Sequence, residues 1–187
     1  MLTGYNLAGN SKTNVRKNAD FYATPDDVTF AVLNFLDLNH DYVFWEPACG
    51  TGEMVSAISE CGYERIIASD LRYTGYGTGG KDFLLSSEQC DVIITNPPFN
   101  LSEDFIRHAL AISPIVVMLV KSQYWHAAKR TKLFEEHPPT WVLALNWRPD
   151  FLFGERGGQP TMEMIWTVWN KGYTDTRYRI LKRPAHE

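Results

Sequence analysis

The chain has 187 residues, 44 % of them hydrophobic, with 18 basic and 22 acidic residues for a net charge of −4. Such a chain suits one domain with a sizeable core and is too short for two ordinary ones. It has no apolar run of about 18 residues to span a membrane, no basic-then-apolar leader, and three cysteines without Cys-x-x-Cys spacing, so it is read as a soluble protein with free thiols in a reducing compartment, the cytoplasm, without metal.

The N-terminal 19 residues are polar and patternless and are expected to form a mobile arm. A helix is predicted from Thr24, with Thr24 as cap, Pro25 in the first helical position and Asp27 completing a capping-box-like pair. Tyr42 to Trp45 reads as a short strand. It leads into Glu46-Pro47-Ala48-Cys49-Gly50-Thr51-Gly52, and Met54, Val55, Ala57 and Ile58 follow at helical spacing. Ile66 to Ala68 is a second buried strand ending at Asp70, and Tyr73 to Lys81 a glycine-rich loop. Val92 to Thr95 is a third strand, followed by Asn96-Pro97-Pro98-Phe99 and a helix from Ser102. Ile115 to Val120 is unbroken and apolar, the pattern of a parallel strand buried on both faces. A basic helix is predicted over about 124–135. Trp141–Asn146 and Met162–Trp169 are late strands, and 171–187 a basic C-terminal tail. Strands alternating with helices predict a doubly wound α/β domain whose ligands bind beyond the carboxyl ends of the strands.

Charge divides unevenly along this order. Residues 1–120 hold 7 Lys/Arg against 15 Asp/Glu, a net −8, and residues 121–187 hold 11 against 7, a net +4. The second part could dock a polyanion, or be an ordinary solvated surface of mixed charge. The acidic total argues against a tight, sequence-blind DNA binder.

Three segments carry chemistry. In the Glu46–Gly52 loop, Gly50 and Gly52 permit a tight turn and close backbone approach to a ligand. No Lys-Ser/Thr pair follows, so it is not a phosphate-binding P-loop. Asp70, 18 residues after Gly52, stands where a carboxylate can accept hydrogen bonds from ribose hydroxyls. Asn96-Pro97-Pro98-Phe99 is the most specific. Two prolines fix the backbone and remove two donors, leaving the Asn96 amide and the Pro97 carbonyl to face an –NH2 group, while Phe99 offers a flat face to a planar base.

Together these segments resemble the amino-methyltransferases that use S-adenosylmethionine, in particular small phage-type DNA adenine-N6 methyltransferases. The likeness covers about residues 20–170 and rests on five motifs in order. These are Phe21-Tyr22-Ala23-Thr24-Pro25, the Glu46–Gly52 loop, Asp70, Asp82-Phe83 and Asn96–Phe99. It implies a Rossmann-like methyltransferase fold, a seven-stranded, mostly parallel sheet with a reversed final strand. It assigns cofactor contacts to Tyr22, Thr24, Pro25, Glu46, Pro47, Ala48, Cys49, Gly50, Gly52, Asp70, Asp82 and Phe83, and catalysis to Asn96, Pro97, Pro98 and Phe99. No segment is long enough for a separate target-recognition domain, so relaxed sequence specificity is expected. The expected partner is DNA, or RNA, and the chain a monomer or homodimer. A protein glutamine methyltransferase and a catalytically silent, cofactor-binding partner subunit stay open. Lys121, Lys129, Arg130, Arg148 and Arg156 are candidates for touching nucleic acid, each with surface charge as the competing reading.

Overall fold

Helix α1 spans Asp26–Leu36 in the computed structural model, which describes residues 22–151, 160 and 162–185. The expected N-terminal arm and Arg156 fall outside the described residues. Pro25 is the N-cap of α1, and no side chain caps the helix. Two expectations are corrected here, for one physical reason. The Thr24 hydroxyl is engaged by Asn96 (3.2 Å), and the Asp27 carboxylate by Arg183 (2.6 Å), so neither is spent on the helix end.

The strands are β1 (Phe44–Glu46), β2 (Ile66–Ala68), β3 (Val92–Thr95), β4 (Ile115–Lys121), β5 (Trp141–Leu145), β6 (Met164–Asn170) and β7 (Arg177–Leu181). They form one seven-stranded sheet in the order β2-β1-β3-β4-β6-β5-β7. β1 to β4 run parallel, β6 runs antiparallel to both β4 and β5, and β7 pairs parallel with β5. The reversed strand is thus β6. The sheet reaches seven strands through β7, which lies in the segment read as a basic tail. Arg177-Tyr178-Arg179-Ile180 alternates charged and apolar residues as a strand can, but the run is short and largely exposed, and pairing with β5 orders it. β2, read as buried, is only half-buried because it forms the opposite edge.

Alternation along the central strands divides the core between two faces, as the period of two in a strand requires. Phe44, Val92, Ile94, Val117 and Leu119 pack with α1 and with helix α2 (Glu53–Glu60). Trp45, Ile93, Val116, Met118 and Val120 pack with helix α3 (Ser102–Ile112) and with Leu133 of α4 (Thr131–Glu136). Helices therefore cover both faces, and β4 is buried along Ile115–Val120. The basic helix expected over 124–135 is broken. Short 3-10 turns at Ser122–His126 and Ala128–Arg130 precede α4, with Tyr124 buried beneath them. Far from α1 in sequence, the Trp166 indole donates to the Val28 carbonyl at 2.9 Å, joining β6 to that helix.

Candidate active site

The site lies beyond the carboxyl ends of β1, β2 and β3, the end of a doubly wound sheet where loops diverge and leave a crevice. A cavity of about 400 Å3 opens there, within the range of small-ligand pockets. Of the residues assigned by resemblance, Tyr22, Thr24, Glu46, Pro47, Ala48, Cys49, Asp70, Asp82, Phe83, Asn96 and Pro98 line it. Pro25, Gly50, Gly52, Pro97 and Phe99 do not reach its wall.

The glycine loop and Asp70 form one hydrogen-bonded unit. Gly50 and Gly52 have φ of 53° and 98°, left-handed values that favour glycine. A Cβ at Gly52 would come within 2.8 Å of the Tyr76 ring, so the glycine-rich loop after β2 closes directly over it. The Gly50 N–H donates to Asp70 Oδ2 (3.0 Å) and the Arg72 N–H to Oδ1 (2.9 Å). Backbone bonds from Thr78 to Ala68 and from Lys81 to Asp70 pin the same loop to the end of β2. Asp70 is thus held at the cavity wall by the backbone on both sides, with lone pairs left to accept from a ligand.

Glu46 places a buried carboxyl in the cavity wall. It is 1 % exposed, and burial pushes its carboxyl up to about 8, against the pull of the Ala48 N–H at 2.9 Å. Cys49 stands beside it. Burial, with the Glu46 and Asp70 carboxyls, pushes its thiol up to about 12, so it stays protonated at neutral pH and is no nucleophile. Asp82 accepts from the Leu84 N–H (3.0 Å) and caps a 3-10 turn at Phe83–Leu85. Phe83 is clamped edge-on by Trp45 and His108 and tilted against Phe105.

Asn96 leaves the end of β3 with its amide oriented. Its Nδ2 donates to Thr24 Oγ1 (3.2 Å), with the Tyr22 carbonyl at 3.5 Å. A carbonyl can only accept, so the –NH2 must face Tyr22, and the other amide atom is the oxygen. That Oδ1 is buried without a partner. A buried acceptor left unpaired costs about 1–3 kcal/mol, which a ligand N–H would recover. Downstream, the Ser102 hydroxyl reaches back to the Pro98 and Phe99 carbonyls (3.2 and 3.1 Å) and anchors the turn to α3.

Phe99 departs from the expectation of an open stacking face. The Lys121 ammonium sits 3.7 Å from its ring centroid, and the Tyr22 ring stacks at 5.8 Å and 30°. A planar ligand entering there must displace one of them. The other cationic candidates separate. Arg130 turns inward over the Tyr124 ring at 3.6 Å, Arg148 pairs with Glu163 at 2.7 Å, and Lys129 is exposed on its 3-10 turn. Arg130 is half-buried, because Tyr124 offers it an aromatic face. Sequence reasoning missed Lys81, Leu71, Arg72 and Asn100 in the wall. Lys81 and Arg72 flank recognised acids, and that adjacency was the available signal.

Among the described residues, no group of three or more His, Cys, Asp or Glu is placed to hold a metal, and no helix is long and apolar enough to cross a membrane.

No family model and no curated protein matches the chain. Solved structures do. A protein assigned as an RNA methyltransferase of Pyrococcus horikoshii is 16 % identical over 85 % of this chain and 90 % of its own, with a TM-score of 0.68. A protein assigned as a class I S-adenosylmethionine-dependent methyltransferase of Listeria monocytogenes is 15 % identical over 91 % and 67 %, with a TM-score of 0.62. The type I restriction-modification methyltransferase subunit of Streptococcus thermophilus is 12 % identical over 85 % of this chain, which spans 47 % of that subunit, with a TM-score of 0.65. The chain has the Rossmann-like α/β fold of these methyltransferases.

Proposed function

We propose that the chain is an S-adenosylmethionine-dependent methyltransferase acting on the exocyclic N6 amine of adenine in DNA, with relaxed sequence specificity. The observation that carries this reading is that Asn96, a residue of the cavity wall, has a buried Oδ1 without a hydrogen-bond partner. It is an acceptor prepared for an N–H that the protein itself does not supply.

The residues present fit the cofactor. Asp70, fixed by the Gly50 and Arg72 N–H groups, would accept from the ribose hydroxyls. The buried Glu46 carboxyl suits a cationic ligand, since a positive charge in the cavity would stabilise its charged form. Asp82 and Phe83 would border the adenine moiety, and Tyr22, Thr24 and Pro25 the methionine end. When bound, S-adenosylmethionine supplies an electrophilic methyl group on a sulfonium.

The chain's part in the chemistry is positioning and polarisation. The adenine amine is a poor nucleophile because its lone pair is delocalised into the ring. Hydrogen bonds accepted by Asn96 Oδ1 and the Pro97 carbonyl would draw the nitrogen toward tetrahedral geometry and localise that pair. The same fixed dipoles favour positive charge growing on nitrogen. Pro97 and Pro98 limit backbone freedom so that the two acceptors converge, and holding the amine in line is the main contribution. No general base is needed before attack. A duplex target must flip out at a cost of about a few kcal/mol. Stacking on Phe99, about 1–3 kcal/mol, offsets much of this once Lys121 has moved aside.

The likeness to the S. thermophilus restriction-modification subunit favours DNA, and the likeness to the P. horikoshii protein keeps RNA adenine as the second reading. Tritium transfer from labelled cofactor to DNA, RNA and protein in parallel tests both. Label recovered from DNA as N6-methyladenine is expected. Label confined to RNA or protein overturns the DNA assignment. Mapping modified adenines on long random DNA tests specificity. Only one to three fixed bases are expected, because each good base contact needs its own placed side chain, and a motif of four or more would refute it.

A further inference from the structure

The strand that the sequence disguises as a tail forms an edge of the sheet and carries the chain's densest positive charge. Between Lys171 and Ala185 stand Lys171, Arg177, Arg179, Lys182 and Arg183, against one acid, Asp175. Strand β7 is exposed from Arg177 to Ile180, with Tyr178 61 % and Ile180 59 % accessible. The Arg177 N–H and the Leu181 carbonyl bond toward β5. In a parallel strand the alternate residues, Tyr178 and Ile180, then turn their backbone N–H and C=O groups outward. No carboxylate among the described residues pairs with Arg179 or Lys182.

This edge leads to the candidate active site. Leu181 ends β7 level with Leu145, on the side of the sheet where β4 ends at Lys121. With three strand spacings between β7 and β4, the two ends stand about 14 Å apart, roughly four base-pair steps at 3.4 Å. Two residues on, Arg183 bonds Asp27 at 2.6 Å, in the first turn of α1, next to the Thr24 that orients Asn96.

We propose that the β7 edge, from Arg177 through Lys182, is a docking strip for the DNA backbone beside the methylated adenine. The inference rests on the methyltransferase reading above and names where that substrate binds. Charge complementarity selects the occupant. Arg179 and Lys182 meet phosphates, and Tyr178 offers an exposed ring to a sugar or an unstacked base. A strip of net +3 facing its own copy would repel, which argues against β7 pairing with β7 of a second chain.

Arg179→Glu/Lys182→Glu in the full chain, and separately Tyr178→Ala, test it. Binding to a fluorescein-labelled 30-base-pair DNA of mixed sequence is read by anisotropy from 50 to 300 mM NaCl. The double variant is expected to bind at least tenfold more weakly at 50 mM. Its log Kd against log salt slope should fall by about two, one for each lost cation. Its cofactor affinity by calorimetry and its transfer rate at saturating DNA should stay as wild type. Tyr178→Ala should weaken binding and leave the slope unchanged. An unchanged Kd and slope in the double variant overturns the strip. So does binding of RNA alone in a parallel arm, or a loss of self-association by sedimentation with DNA binding intact. Wild-type protein that binds DNA through these residues and methylates none of it would sink the methyltransferase reading alone, whereas methylation by a double variant that binds normally would sink the strip alone.

Discussion

The two ends of the sheet handle polar groups in opposite ways. Around β1, β2 and β3 they are buried and deliberately incomplete. Glu46 is enclosed and pushed toward its neutral form, and Asn96 Oδ1 has no partner. Around β5 and β7 they are exposed, with Arg177, Tyr178, Arg179 and Lys182 in solvent. The first arrangement costs stability and is tolerated where a ligand completes it. The second costs little and suits long-range, salt-sensitive attraction. In the proposed function the difference divides recognition: geometry in the cavity, charge along the edge. Arg183–Asp27 and Trp166–Val28 join the two through α1.

The sharpest way to break this division is to remove the incomplete acceptor. Asn96→Ala should lower the methyl-transfer rate by about 10^2–10^3, the loss expected for one fixed dipole serving developing charge. Cofactor affinity should stay within about twofold, because Asn96 is assigned to the acceptor amine. Substantial turnover by a folded variant would remove Asn96 from the chemistry. Asp70→Ala comes next. Loss of a charged hydrogen-bond acceptor is worth about 1.5–3 kcal/mol, so calorimetry should find cofactor binding weaker by about 10- to 100-fold. Unchanged affinity would sink the ribose assignment.

Glu46 gives a pH-dependent test. Its folded-state carboxyl titrates near 8, above its ordinary value of 4.5. The folded chain therefore keeps a proton that the unfolded chain releases between those values. Stability from this group is fully present below about pH 4.5 and is lost as pH rises through 8. A cationic cofactor favours the carboxylate, so its affinity should rise with pH toward 8, approaching about tenfold per unit. Glu46→Gln should flatten both profiles in calorimetry and thermal unfolding, and a wild-type binding profile that is already flat would rule the charge coupling out. The smallest effect is expected at Thr24. Thr24→Val removes the hydroxyl that orients the Asn96 amide, worth about 1 kcal/mol, so kcat should fall about fivefold. Thr24→Ser should restore it. A Ser variant as slow as the Val variant would mean that Thr24 acts by packing.

The same contrast governs what could be read in the sequence. Motifs at strand ends were legible because their residue types are demanded locally. Two glycines must adopt left-handed φ, and two prolines must follow Asn96. β2 and β3 have the bounds their apolar runs predict, and β4 extends one residue further, to Lys121. The basic helix was misread because its segment folds locally around the stacking of Arg130 on Tyr124, and the basic tail because what orders it is distant, the free edge that β5 offers to β7.

By itself, then, the sequence determined the alternation of strands and helices, the turn chemistry of both motif loops and the asymmetry of charge, all properties of neighbours along the chain. Only the tertiary structure decided that Thr24 would hold Asn96 instead of capping α1. It likewise decided that Lys121 would cover Phe99, that the burial of Glu46 would raise its proton affinity, and that the basic tail would close the sheet as β7. Each depends on partners dozens of residues away or on exclusion of water by the assembled core, and neither is encoded in any local pattern.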